Sequence, residues 1–151
     1  MRSMSDSEAA RADEIKSCFA FRVLSSPFGY RAHKPLRDPY GLCLLEHVGE
    51  SLRAAGFQVT PAKPGKACDA GFYVRFTTFD VAVILLVKRR LGEVECGLLT
   101  SCVRPAWCRE SVEAAFAEWA RVCKEIYHIL QQDVEIADLA WVTGKEFNRV
   151  A

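Results

Sequence analysis

The chain contains no CxxC pair, no GxGxxG or P-loop segment, no GxSxG turn and no HExxH pair. Each absence removes a chemistry whose residues must lie close together in sequence: a zinc ribbon or thioredoxin-type redox site, a phosphate cradle, a serine-hydrolase elbow, a zincin centre. Long apolar runs are also missing. The longest, Val81 to Val87, has seven residues, against the roughly 20 that a helix needs to cross a bilayer. Met1 to Lys16 is rich in Ser, Asp, Glu, Arg and Ala without an apolar stretch. It does not read as a secretory signal, and a soluble cytoplasmic protein with no membrane partner is expected. An excess of either charge is absent too. Twenty Lys and Arg stand against nineteen Asp and Glu, a net charge of +1. That balance creates no long-range field for phosphates, so nucleic acid is not expected as a partner. It also gives little protection against self-association and leaves a homodimer open.

What is present suits an ordinary globular domain. Half of the 151 residues are apolar and about a quarter are charged, enough to build one core without a metal or disulfide staple. The seven cysteines, at 18, 43, 68, 96, 102, 108 and 123, are odd in number. In a reducing compartment such thiols pack as small apolar side chains, and neither metal nor cofactor is expected.

Residues 1–15 read as a flexible or weakly helical lead-in, and 16–151 as a single α+β domain. Cys18 to Leu24 is aromatic and β-branched and predicts a first strand, ended by Ser25, Ser26 and Pro27. Asp38-Pro39 predicts a helix start, and Leu45, Val48, Leu52 and Ala55 recur on one face before Gly56. Gly56 is the natural stop, with Phe57 folding back onto the last turn. A turn-rich stretch over 58–71 holds a short strand at 58–60. Gly71 to Thr78 alternates, with Phe72, Val74 and Phe76 on one face and Tyr73, Arg75 and Thr77 on the other. Val81 to Lys88 reads as a central strand, linked to its predecessor by a tight connection around Asp80. The Gly92 turn leads to a third strand over Glu95 to Val103, completing an antiparallel meander. The longest helix, Glu110 to Gln132, carries Val112, Phe116, Trp119, Cys123, Ile126 and Leu130 at spacings of 4, 3, 4, 3 and 4. This apolar seam suits a core better than a dimer zipper. Ile136 to Val142 predicts a closing strand before a polar end, TGKEFNRV. The expected architecture is two-layered: a mainly antiparallel sheet, its three-strand meander flanked by N- and C-terminal strands, with two helices against one face.

Few residues suggest chemistry. Cys43 and His47, four apart on the first helix with Glu46 and Glu50 near them, could share a ligand or form a thiolate–imidazole pair. Two such groups do not make a site, and a packed cysteine beside a solvated histidine is the simpler reading. Cys96 and Cys102 would lie about 20 Å apart along one strand, too far to share a ligand. His128, five residues after Cys123, falls off its face. The segment YRAHKPLR, with Tyr30, Arg31, His33, Lys34 and Arg37, gathers cations around an aromatic ring. It would suit an acidic protein surface or a phosphate, although an ordinary solvated loop is the simpler reading because the chain as a whole is not basic.

One resemblance rests on LLEHVGESLRAAGFQV (44–59), GFYVRFTTFDVAVILLV (71–87), VCKEIYHILQQD (122–133) and EIADLAW (135–141). Over about residues 40–142 the order of elements resembles that of small α+β immunity proteins of bacterial polymorphic toxin systems. The resemblance implies a non-catalytic protein that binds a cognate toxin and blocks its active site. Binding would use surfaces the core leaves free: Tyr73 and Arg75 on the outer sheet face, and Tyr30, Arg31 and Arg37 in the cationic loop. Tyr and Arg are the residue types that dominate binding hot spots. The rival readings are a small enzyme or ligand-binding domain with a Cys/His cleft, and a nucleic-acid accessory protein.

Overall fold

The computed structural model describes residues 6–23, 42–65, 70–90, 93–105 and 111–150. Among them the chain runs α1 (Asp6–Glu14), β1 (Cys18–Val23), α2 (Leu42–Ala54), β2 (Gln58–Val59), β3 (Lys63–Pro64), β4 (Ala70–Arg75), β5 (Asp80–Arg90), β6 (Glu93–Val103), α3 (Val112–Gln131), β7 (Ile136–Val142) and α4 (Gly144–Val150). The strands form one sheet in the order β2-β4-β5-β6-β1-β7, with β3 also on β4, and every pairing is antiparallel. The expected two-layer α+β architecture is what the chain adopts.

The period of two along each strand sorts the side chains onto two faces. Phe19, Phe21, Phe72, Val74, Val81, Val83, Leu85 and Leu98 fall on the inner face and are buried there. α2 and α3 lie over this face and against each other. α2 contributes Leu44, Leu45, Val48 and Leu52. α3 contributes its whole seam, with Val112, Phe116, Trp119, Cys123, Ile126 and Leu130 all buried. The stripe is core.

Local chemistry fixes the ends of these elements. Ser111 caps α3, its hydroxyl accepting the Ala114 N–H at 3.1 Å. Gly56 takes φ +100° after α2, a left-handed conformation that costs glycine little. The Phe57 N–H then returns to the Leu52 carbonyl at 3.0 Å, and its ring is buried beneath the Arg121 guanidinium, 4.5 Å away.

Several expectations need correction. β4 ends at Arg75, not Thr78, because the Phe76 N–H bonds the Phe79 carbonyl at 2.9 Å and the two rings stack. The tight connection is therefore 76–79, and Asp80 already belongs to β5. β5 and β6 are each 11 residues long, more than expected, because their pairing continues out to Arg90 and Glu93. Pro64 sits in β3, an outer strand, where its missing N–H costs no ladder bond. The helix start at Asp38-Pro39, the Gly92 turn and residue 110 lie outside the described residues.

Residues 6–14 and 144–150 are more structured than their polarity suggests. Ala12 of α1 and Ile15 just after it pack against the core, and the Glu8 carboxylate of α1 lies 3.8 Å from the Arg104 guanidinium, both side chains buried. Arg11 pairs with Glu113 at the start of α3. The polar end is a helix, α4, and it lies on the sheet face opposite α2 and α3. Its start is a reciprocal cap: the Glu146 N–H donates to the Thr143 hydroxyl at 3.3 Å, while the Glu146 carboxylate accepts the Thr143 N–H at 3.2 Å. Phe147 is buried over Gly97, its ring 2.6 Å from where a Cβ on that glycine would stand.

Candidate functional site

The outer sheet face follows from the strand register. Tyr73 pairs with Ala82 and Ala82 with Ser101; Gly71 pairs with Ile84 and Ile84 with Leu99; Leu86 pairs with Gly97 and Gly97 with Ala20. All nine side-chain positions share one face. Ile84, Leu86 and Leu99 are half-buried there, Ser101 is exposed, and α4 covers the Gly97 end. Tyr73 is 46% exposed, an aromatic ring left in solvent although its strand neighbours Phe72 and Val74 are buried. Arg75 is exposed two residues on, in register with Asp80. The Tyr73 backbone is held on both sides, its N–H by the Thr60 hydroxyl at 2.8 Å and its carbonyl by the Thr60 N–H at 2.9 Å. At the far side of this face Arg22 reaches Asp138 at 2.6 Å. Asp138 has φ 55° and sits where β7 shifts register against β1, a bulge that interrupts the exposed edge.

The structure thus brings Tyr73 and Arg75 together on a rigid strand, beside half-buried apolar side chains and charged groups. Thr77 is exposed, as expected, but lies in the turn beyond the strand. Tyr30, Arg31 and Arg37 lie outside the described residues.

A second feature lies between the helices. A groove of about 520 Å³ is lined on the α2 side by His47, Ser51 and Ala54, and on the α3 side by Glu125, Gln132 and Asp133. His47 Nε2 stands 3.7 Å from Asp133 Oδ2. Asp133 is buried, and its other carboxylate oxygen accepts the Glu135 N–H at 3.0 Å. Burial is the main influence on this carboxyl and holds its pKa above the ordinary range. A histidine beside a carboxylate can move a proton, but the nearby Ser51 hydroxyl donates to the His47 carbonyl one turn back, at 2.9 Å. That geometry does not assemble the nucleophile–base hydrogen bond of a Ser–His–Asp relay. Sequence spacing had offered His47 only Cys43, Glu46 and Glu50 as companions, since one helix shows only its own i+4 neighbours. The charged group beside its ring comes from the far end of α3.

The described cysteines are mostly core residues. The five described ones carry free thiols, and Cys18, Cys96, Cys102 and Cys123 are buried. Burial pushes the Cys18 thiol up and the Cys123 thiol up to about 12, the opposite of an activated nucleophile. Cys123 completes a buried polar cluster. Thr100 donates its hydroxyl to the Ser17 carbonyl at 2.8 Å and accepts the Trp119 indole N–H at 2.8 Å, with Cys123 Sγ 3.2 Å away. Thr100 has one proton to give, so the Cys123 S–H donates to it. His128 is exposed while Cys123 is buried, so the two point apart. Among the described residues no group of three His, Cys, Asp or Glu side chains could hold a metal, and no helix is long and apolar enough to cross a membrane. Comparison of the chain with models of protein families, with curated proteins and with solved structures finds no match in any of the three.

Proposed function

We propose that this protein is a non-catalytic binding domain whose partner is another protein, and that it acts as an immunity protein by inhibiting a cognate bacterial toxin. The observation that carries the binding reading is the outer sheet face: solvent-exposed Tyr73 and Arg75 beside half-buried Ile84, Leu86 and Leu99. An apolar centre with aromatic and arginine anchors and a polar rim is how protein interfaces are composed. The anchors stand on a strand paired on both sides, so they are ordered before binding and little entropy is lost in docking. The specific form, toxin inhibition, rests on the resemblance in element order over about residues 40–142.

The test uses the product of the adjacent gene. Expressed alone in a bacterial host it should arrest growth, and co-expression of this protein should restore it. The purified pair should form a complex, and Tyr73→Ala/Arg75→Ala should abolish rescue while remaining folded. A companion Tyr30→Ala/Arg31→Ala variant tests the loop. An adjacent product that neither binds nor is toxic overturns the inhibitor reading. A complex that both double variants still form moves the binding surface elsewhere.

A further inference from the structure

We propose that His47 and Asp133 form a pH-operated latch, drawing α2 onto the α3–β7 turn while the imidazole is protonated and slackening when it is neutral. The geometry makes the contact depend on charge. At 3.7 Å the Nε2–Oδ2 separation is too long for a hydrogen bond, so only a protonated imidazole would draw the carboxylate, and that attraction vanishes with the imidazolium charge. Histidine is the side chain whose ordinary titration range falls near neutrality.

The charged groups that line the groove among the described residues are acidic. Glu125 stands on the opposite, α3 wall of the groove and Asp133 at its end, with Glu135 close enough to act on the Asp133 carboxyl. On its own helix, Cys43 and Glu50 lie one turn to either side. No lysine or arginine lines the groove among the described residues. Asp133 is also well placed to transmit the change. Its N–H bonds the Leu130 carbonyl at 3.2 Å, its carbonyl accepts the Ile136 N–H at 3.1 Å, and its carboxylate accepts the Glu135 N–H. It therefore closes α3 and leads into β7, an edge strand of the sheet. The imidazole charge sets the sign, and the buried Asp133 carboxyl, whose pKa burial raises, sets the acid limit. Ionising this buried carboxyl costs stability as pH rises past its unfolded-chain value, and a protonated His47 offsets that cost until the imidazole loses its proton. The latch is tightest above the range in which Asp133 ionises and below the ordinary histidine range, about pH 6.5.

The test compares urea unfolding of the full chain, wild type and His47→Gln, at pH 5.5 and pH 8. The expected result is a folding equilibrium constant roughly two- to fivefold lower for His47→Gln at pH 5.5, with the gap closing by pH 8. Asp133→Asn keeps an oxygen for the Glu135 N–H, so the turn should survive. In that variant the His47 ring, followed by NMR, should titrate at lower pH than in wild type. A gap of equal size at both pH values, or a ring titration unmoved by Asp133→Asn, overturns the latch.

Discussion

The two faces of the sheet are made by the same strands and even by adjacent residues, yet they differ in kind. On the inner face Phe72, Val83 and Leu98 meet the apolar seams of α2 and α3 and are lost from water. On the outer face their immediate neighbours Tyr73, Ala82 and Leu99 meet one short helix at one end of the strands and leave an aromatic ring exposed at the other. The inner face is where apolar area removed from water stabilises the fold. The outer face contributes less to folding, and its residues are correspondingly freer to serve recognition.

That contrast can be broken in graded steps. Trp119 is the largest test, because its indole fills the inner layer and also donates to Thr100. Trp119→Ala should cost about 3–5 kcal/mol in chemical denaturation through the cavity it leaves. Trp119→Phe should cost less, keeping most of the volume but leaving Thr100 without its indole donor. Gly97 comes next. Any Cβ there collides with the Phe147 ring, so Gly97→Val should displace α4 at a cost of about 1–3 kcal/mol. Amide hydrogen exchange should show faster exchange in 144–150 while α3 stays protected. The α4 cap is the smallest. Hydrogen bonds from the Thr143 N–H and hydroxyl lower the pKa of the exposed Glu146 carboxyl. Its support is therefore present above the unfolded carboxyl range and is lost as pH falls through the lowered folded pKa. Thr143→Ala should cost about 1 kcal/mol or less at pH 7, and the difference from wild type should shrink in acid.

The inner face was legible in the sequence because its signals are local and repeated. The spacing of Val112, Phe116, Trp119, Cys123, Ile126 and Leu130, and the alternation about Phe72 and Val74, each require one burial pattern. Tyr73 and Arg75 followed from the same alternation. What stayed hidden depends on contacts between distant segments. TGKE carries a capping box, Thr143 with Glu146 three residues later, but an otherwise polar tail gave no apolar stripe to go with it. Phe147 alone is too weak a signal until Gly97 is known to lie beneath it. Likewise β1 lies between β6 and β7, an order that no short-range pattern specifies. Asp133 became a candidate only when folding carried it to His47.

The most direct test of the account is the affinity of the purified adjacent gene product for wild-type protein and for Tyr73→Ala/Arg75→Ala, with thermal unfolding of both measured alongside. If the outer face is the binding surface, the double variant should unfold within a few degrees of wild type, since exposed positions contribute little to stability. It should bind roughly a hundredfold or more weaker, the loss expected from two hot-spot side chains. Equal affinity with equal stability would contradict the account, whatever the partner's activity.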